Sequence, residues 1–301
     1  MAKIEKGKEL KSFNTYHVGG KADFFVAAKA RQDLIDAYNF AKEKQIPYAV
    51  LGKGSNVLIA DDGFRGLVIA NKVNTLERHE NKIVASSGLS LSAFVKYSAE
   101  AGLAGAEFLA GIPGTVGGAI LGNAGAWGRS FGDIVESVDF LDESGARRIQ
   151  REGVDFSYRE SSFKKMKGII LGAVIVLEKS GSQEVEGKVK EILLHRSGKH
   201  PAGRSCGSFF KNIEVKYLPR ETLEAIGGWE KGGRITAGKL IEEAGCRKLS
   251  VGGAEVSKDH ANFLLNTGNA TANDIKELAE QVKKKVYDKF GVELEPEVRY
   301  L

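Results

Sequence analysis

Two glycine-rich segments hold the residues whose types and spacing most clearly suggest chemistry. The longer segment runs from 101 to 132 and holds ten of the 37 glycines, and the shorter one covers residues 52–56 after an apolar stretch. A segment so rich in glycine forms neither a stable helix nor a plain strand, so other groups can approach its backbone closely. Two interpretations stay open at this point. The segments are packed buried loops, or their backbone N–H groups hold a flat or phosphorylated ligand.

Three familiar motifs nearly match the sequence, and each fails at one feature. The GxG at 52–54 lacks the third glycine of a dinucleotide fingerprint, because Val57 stands there. Residues 233–239 have P-loop spacing, but Leu240 follows where a hydroxyl would bind Mg²⁺. Residues 203–207 spell GxSxG without the preceding strand that a nucleophile elbow needs. No metal-ligand spacing occurs, so we expect no metal site.

The elements that must position any site alternate between helix and strand patterns, which favours an α/β or α+β fold. Apolar periodicity predicts helices over 31–44, 91–101 and 185–195 and from Thr271, and strands over 48–51, 66–70, 135–141, 168–177 and 298–301. From residue 200 the sequence changes to a loop rich in Gly, Ser and Arg. This change predicts a domain boundary near 199.

The composition is that of a globular protein, with 42% hydrophobic and 28% charged residues and only 5 prolines. A net charge of +5 is too small to predict nucleic-acid binding. No apolar run approaches the ~20 residues of a membrane span, and the N-terminus lacks the apolar part of a signal peptide. Cys206 and Cys246 stand far apart. We therefore expect reduced thiols in a cytoplasmic protein with no nucleic-acid or membrane partner.

Seven short segments, taken in order, carry a family resemblance. They are LGKGSNVLIAD from Leu51, AGIPGTVGGAILGNAGAWG from Ala110, YRESSF from Tyr158, GSFFKN from Gly207, AGKLI from Ala237, GGAEVS from Gly252 and LEPEVR from Leu294. They resemble the motifs of the UDP-N-acetylenolpyruvoylglucosamine reductase (MurB) family. Each motif alone is weak, but seven in the right order over nearly the whole chain are specific.

The resemblance implies an α+β fold in two parts. The first is an FAD-binding unit of the vanillyl-alcohol-oxidase (PCMH) type over residues 1–198, with subdomains of about 1–70 and 71–198. The second is a smaller α+β substrate-binding domain over 199–301, whose last strand, about 294–301, returns to the flavin site. The implied cofactors are FAD and NADPH. A monomer is expected.

The implied reaction reduces UDP-N-acetyl-3-O-(1-carboxyvinyl)-glucosamine to UDP-N-acetylmuramate, a peptidoglycan precursor. In this family a hydride passes from FAD N5 to substrate C3, and C2 must then be protonated. The resemblance makes Ser208 the proton donor and has Arg159 and Glu297 hold the substrate carboxylate. Arginine suits this task because its guanidinium pairs with both carboxylate oxygens. Glu297 helps only if it is protonated or bonded through an intermediary, because two bare carboxylates repel.

The same resemblance assigns cofactor and substrate contacts. The residues expected to bind FAD are Gly52, Lys53, Gly54, Ser55, Asn56, Ile112, Pro113, Gly114, Thr115, Gly117, Gly118, Asn123 and Gly125. The residues expected to contact the substrate are Tyr158, Lys199 and Asn212. The interval from Arg159 to Ser208 is too short for the tyrosine-bearing insertion of the longer family members. The chain therefore resembles the shorter type.

Two rival functions remain open beside the reductase. One is another FAD oxidoreductase on the same scaffold, which would have no reason to keep Ser208, Arg159 and Glu297 together in these motifs. The other is a non-catalytic module that binds nucleotide sugars, which would not need the proton donor Ser208. Without the resemblance, Ser208 would be a turn or strand residue, Arg159 a surface ion-pair partner and Glu297 a solvated carboxylate.

Overall fold

The computed structural model describes residues 2–198, 201–218, 220–226, 228–230 and 232–301. Within these ranges the helices are α1 (Arg31–Glu43), α2 (Leu91–Glu100), α3 (Val116–Leu121), α4 (Ser182–Arg196), α5 (Arg220–Ala225), α6 (Ala237–Glu243) and α7 (Ala272–Phe290). The strands are β1 (Glu5–Glu9), β2 (Lys21–Ala28), β3 (Tyr48–Leu51), β4 (Val57–Leu58), β5 (Phe64–Asn71), β6 (Leu76–His79), β7 (Lys82–Ser86), β8 (Leu103–Ala104), β9 (Gly125–Ala126), β10 (Arg129–Ser130), β11 (Val135–Asp142), β12 (Gly145–Gln150), β13 (Phe156–Ser157), β14 (Glu160–Ser161), β15 (Ile169–Val176), β16 (Glu178–Lys179), β17 (Ile213–Glu214), β18 (Arg234–Ile235), β19 (Ser250–Val251), β20 (Ala254–Val256), β21 (Leu264–Asn266) and β22 (Arg299–Tyr300).

The chain divides into two compact units that do not follow chain order. The first unit contains the N-terminus up to Lys8, Ala22–Lys53 and Arg65–Ser197, and the second contains Glu9–Lys21, Gly54–Phe64 and the chain from Gly198 onward. The boundary that we expected near 199 lies beside this division. The segments Glu9–Lys21 and Gly54–Phe64 depart from the expected 1–198 domain, because their apolar side chains enter the core of the second unit.

The first unit is built on two sheets. One has the strand order β1-β2-β5-β3, and the other is antiparallel with the order β12-β11-β15-β7-β6. Helix α1 packs against both sheets, because its buried stripe shares one core with side chains of β2, β5, β11 and β15. Helix α2 and the glycine-rich segment lie in a second core against the antiparallel sheet. The helices and strands predicted in this unit are confirmed.

The second unit is organised by α7, which packs on the antiparallel sheet β19-β20-β21. The hydroxyl of Thr271 accepts the N–H of Asp274, and the Asp274 carboxylate accepts the N–H of Thr271, so this helix begins at a capping box as the sequence predicts. Helix α7 ends at Gly291 in the left-handed conformation. Near the C-terminus, β22 pairs in parallel with β4.

The separate, mostly antiparallel sheets with helices packed on them confirm the predicted α+β class. Among the helices described, none is both long and apolar enough to cross a bilayer.

Candidate active site

The two glycine-rich segments meet within the first unit. A Cβ atom on Gly52 would lie 2.5 Å from Thr115 Oγ1, so only glycine allows this approach. Thr115 caps α3, where its hydroxyl accepts the N–H of Gly118 at 3.4 Å. The structure therefore brings together two of the segments that the sequence assigned to the cofactor.

The glycine-rich segment is held along one side and accessible along the other. Its backbone bonds the 87–91 region: the N–H of Leu91 donates to Gly114 O, and the N–H of Gly117 donates to Ser87 O. Gly111, Pro113 and Gly118 are exposed. An accessible backbone with few side chains suits the flat ring and diphosphate of FAD, so these residues fit the cofactor.

Gly54 and Asn56, which belong to the second unit, have structural tasks of their own. Gly54 has φ of +62°, and a Cβ atom there would collide with the carbonyl of Phe13. Asn56 Nδ2 donates to the carbonyl oxygen of Glu297 at 3.1 Å, and Asn56 O accepts the N–H of Arg299 at 3.1 Å. Asn56 therefore holds the backbone on both sides of Val298, directly after Glu297. Its assignment to FAD stays a prediction.

Asn123 and Gly125 support the neighbouring hairpins. The buried Asn123 amide donates to Ser157 O at 2.8 Å and accepts the N–H of Gly132 at 2.9 Å. Gly125 begins β9, and its carbonyl accepts a bond from Arg159 Nη1 at 3.0 Å. Both residues stay cofactor predictions, although the structure shows the Asn123 amide bonded to the protein at both ends.

Arg159 lies at the tip of the hairpin formed by β13 and β14, next to Tyr158. Its φ of +59° is left-handed, which costs a residue with a side chain about 1 kcal/mol. Lys164 Nζ donates to its carbonyl at 2.7 Å, and its guanidinium lies 5.4 Å from the Tyr158 ring centroid. Backbone strain that a fold maintains is found at functional sites more often than elsewhere, which supports the assignment.

Arg196, the last residue of α4, is a cation that the sequence reasoning left without a role. Burial and then the nearby charge of Arg159 lower the pKa of Arg196, so two guanidiniums lie near one another in the first unit. Such a pair is typical of an anion-binding site. The one available signal was its place in the pattern Arg196-x-x-Lys199. Lys199 itself lies outside the described residues.

Ser208 and Glu297 lie on neighbouring antiparallel chains of the second unit. The N–H of Glu297 donates to Phe209 O at 2.8 Å, and the N–H of Lys211 donates to Glu295 O at 2.9 Å. We call residues 207–211 and 295–299 the strand pair. Both predicted catalytic residues of this unit are half-buried, and the strand pair places their backbones on neighbouring chains. Arg159 belongs to the other unit.

A desolvated layer lies beside the strand pair. Cys206 Sγ donates to the hydroxyl of the fully buried Tyr16 at 3.4 Å. Burial, with a further contribution from the Glu297 carboxylate, raises the pKa of the Cys206 thiol to about 12. Burial also raises the pKa of Tyr16. Both groups are therefore neutral at physiological pH.

Asn212 lies in the same unit, where its Oδ1 accepts the N–H of Ala237 at 3.2 Å. Its contact with the substrate stays a prediction, as does that of Tyr158. In the part of the chain that the structure describes, no group of three His, Cys, Asp or Glu residues could hold a metal ion.

Comparisons with known proteins agree with this architecture. The family model for the FAD binding domain matches residues 22–149, and that for the UDP-N-acetylenolpyruvoylglucosamine reductase C-terminal domain matches residues 199–301. The reductase of Clostridium novyi (strain NT) is 38% identical over 96% of this chain and 89% of its own length. That of Protochlamydia amoebophila (strain UWE25) is 39% identical over 97% of this chain and 92% of its own length.

A solved structure covers the whole chain. The crystal structure of UDP-N-acetylenolpyruvylglucosamine reductase from Thermus caldophilus superposes with a TM-score of 0.79 at 30% identity, covering 100% of this chain and 99% of that one. Fold and site together thus define an FAD-dependent oxidoreductase in which a PCMH-type unit precedes a distinct C-terminal domain. Within that class, the chain belongs to the UDP-N-acetylenolpyruvoylglucosamine reductase family. The predicted family, fold and enzyme class are confirmed.

Proposed function

We propose that the protein reduces UDP-N-acetyl-3-O-(1-carboxyvinyl)-glucosamine to UDP-N-acetylmuramate with NADPH, as a cytoplasmic monomer of the shorter family type. In a chain of this family, the observation that supports the proposal is the strand pair, which holds the backbone next to Ser208 beside that of Glu297. When bound, FAD supplies the hydride chemistry, which carries a hydride from NADPH to substrate C3. Protonation of C2 completes the addition of two hydrogens across the C=C bond.

The chain's own residues would hold FAD through accessible backbone. Residues 52–53 and 111–118 provide it in the first unit, where Gly52 and Gly118 lack the side chains that would keep a flat ring away. Thr115 fixes the two segments against each other, because it both caps α3 and fills the space beside Gly52. The position of the flavin would thus be set by backbone and not by charged side chains.

Ser208 acts as the general acid in this proposal. Ser208 follows Gly207, which has φ of +81°, and precedes the hydrogen-bonded residues Phe209–Lys211. The backbone on both sides of Ser208 is therefore defined. The hydroxyl donates its proton to C2 as negative charge develops there. Arg159 pairs with the substrate carboxylate through two parallel hydrogen bonds, and Arg196 adds positive charge near it.

Glu297 has a supporting role. Its backbone is held by Asn56 and by Phe209, so its side chain starts from a fixed position. A carboxylate cannot pair directly with the substrate carboxylate because the charges repel. We propose that it bonds the substrate in its protonated form or through an intermediary group, and so favours the enolate over the ground-state carboxylate.

The test measures the two half-reactions of the holoenzyme separately. In Ser208→Ala, flavin reduction by NADPH should keep its rate, and oxidation of the reduced flavin by the enolpyruvyl substrate should slow by about 10²- to 10⁴-fold, the usual contribution of a general acid. Ser205→Ala is the matched control, because it removes a hydroxyl from the same loop. Equal loss in both half-reactions would remove Ser208 from the proton-donor role.

Two simpler outcomes separate the rival functions. A purified protein that shows no flavin absorbance after FAD is added contradicts the cofactor assignment. A yellow protein that does not oxidise NADPH when the enolpyruvyl sugar nucleotide is supplied is a binding module. Turnover of a different oxidisable substrate in place of this one would support another oxidoreductase on the same scaffold.

A further inference from the structure

We infer that Asn262 is a positioning residue that sets the direction of the Ser208 hydroxyl, an inference that rests on the proposed role of Ser208. Asn262 is 2% exposed, and its amide bonds a single residue at both ends. Oδ1 accepts the N–H of Phe210 at 2.9 Å, and Nδ2 donates to Phe210 O at 2.9 Å. Its own carbonyl accepts the N–H of Phe209 at 2.8 Å. One asparagine therefore makes the hydrogen bonds to Phe209 and Phe210 that a neighbouring β-strand would otherwise make.

The bond to Phe209 lies closest to the reacting group. The N–H of Phe209 belongs to the same peptide plane as the carbonyl of Ser208, so holding that N–H holds the plane that follows the Ser208 Cα. The N–H of Glu297, on the neighbouring chain of the strand pair, donates to Phe209 O. The backbone next to Ser208 is thus held by two partners, one of which is the main-chain carbonyl of Asn262, and the Asn262 side-chain amide holds the next residue, Phe210.

Asn262 is itself held by a local turn. Its N–H donates to His260 Nδ1 at 3.3 Å, and the buried Ser257 hydroxyl accepts the N–H groups of Asp259 and His260 at 3.1 and 3.4 Å. The N–H of Ser257 donates to Phe263 O at 2.9 Å, which closes the turn. The turn of residues 257–263 therefore fixes the backbone of Asn262, independently of the bonds between its amide and Phe210.

The residue type follows from this geometry. A carboxamide presents a donor and an acceptor side by side at every pH, which both backbone groups of Phe210 require. Alanine leaves both buried groups without their partner. An ionised aspartate keeps the acceptor but places negative charge against Phe210 O. A protonated aspartate restores the donor.

A matched asparagine separates positioning from stability alone. Asn266 is also buried in the second unit, where its amide donates to Tyr16 O at 2.8 Å and accepts the N–H groups of Gly268 and Ala270. None of these bonds involves residues 207–211. Asn266→Ala should lower the unfolding temperature about as much as Asn262→Ala does, without affecting proton transfer.

The experiment compares holoenzyme variants in the two half-reactions. In Asn262→Ala we expect oxidation of the reduced flavin by the enolpyruvyl substrate to slow by about 10- to 100-fold, as for a reacting group displaced by about 1 Å. Flavin reduction by NADPH should stay within about twofold, and the solvent isotope effect on the oxidative half-reaction should rise because proton transfer limits it more. Asn266→Ala should change neither quantity.

Asn262→Asp adds a readout that loss of stability does not mimic. Relative to the unmodified enzyme, its oxidative half-reaction should recover as the pH falls and the new carboxyl is protonated, whereas Asn266→Asp should show no such recovery. This variant also tests the inference if Asn262→Ala does not fold.

Three results would overturn the inference. They are equal slowing of both half-reactions in Asn262→Ala, equal slowing of the oxidative half-reaction in Asn266→Ala, and no acid recovery in Asn262→Asp. Ser208→Ala distinguishes the two proposals. If it leaves the oxidative half-reaction unchanged, the role of Ser208 fails and positioning fails with it. If the oxidative half-reaction is slow in Ser208→Ala but keeps its rate in Asn262→Ala, only the positioning role of Asn262 fails.

Discussion

The hairpin tip that carries Arg159 and the strand pair that carries Ser208 and Glu297 position their side chains by opposite means. The backbone of Arg159 is strained, and its guanidinium, at the end of a long side chain, donates to Gly125 O. Ser208 and Glu297 have short reach, and their backbones are bonded to neighbouring chains. The difference indicates that binding an anion tolerates a long side chain, whereas delivering a proton requires the backbone itself to be fixed.

The largest expected effect comes from the hairpin tip. Arg159→Ala should lower kcat/KM for the enolpyruvyl substrate by about 10²- to 10⁴-fold, because two charge-assisted hydrogen bonds are lost. Arg159→Lys should recover only part of this, since an ammonium cannot pair with both carboxylate oxygens. Arg151→Ala is the control, because that guanidinium bonds Gly132 O and Val154 O in the same unit. Equal activity of Arg159→Lys and the unmodified enzyme would rule out the paired geometry.

The next effect concerns the desolvated layer beside the strand pair. The pKa of Cys206 is raised to about 12 in the folded state, so its contribution to stability is complete below pH 9 and declines as the pH rises towards 12. Between pH 9 and 10, the free energy of unfolding should fall by about 1.1 kcal/mol from this group, and Cys206→Ala should remove that slope in urea titrations.

Cys246→Ala provides the comparison for this slope. Burial raises the thiol pKa of Cys246 as well, but Lys285 counteracts it, so its removal should flatten the curve less. If the free energy of unfolding of the unmodified protein does not decline above pH 9, water reaches Cys206. The region beside the strand pair would then be less rigid than its contrast with the hairpin tip implies.

The smallest effect concerns the bond that holds Glu297. Asn56→Ala removes the hydrogen bond to Glu297 O and should lower the free energy of unfolding by about 1 kcal/mol. Asn81→Ala is matched, because its half-buried amide donates to Leu177 O at 2.9 Å in the first unit. Of the two, only Asn56→Ala should slow the oxidative half-reaction. Weaker FAD binding with that half-reaction unchanged would instead make Asn56 a cofactor residue alone.

The parts of the fold that the sequence predicted are those set by local patterns. Apolar stripes placed α1, α2 and α7, and β-branched runs placed β11 and β15, because burial of one face leaves a regular signal. The start of α7 at Thr271 was predictable for the same reason. Each depends on neighbours only a few positions away.

The parts that could not be predicted depend on distant partners. Asn262 bonds Phe210 across 52 positions, and nothing in a polar loop indicates such a partner. The positive φ of Arg159 has no sequence signal, because arginine gives no preference for it. Ser208, Arg159 and Glu297 were assigned through family motifs and not through spacing, and Arg196 was missed because only the three-dimensional structure brings it near Arg159.

The division of the second unit into three chain segments has a consequence for how the protein is made. The first unit has all its residues once Ser197 has been synthesised, but Tyr16, Val18 and Leu58 belong to a core whose other members come later. At ~5–20 residues per second, roughly a hundred further residues take on the order of 5–20 s. During that interval these early apolar side chains lack the later residues with which they form the core of the second unit.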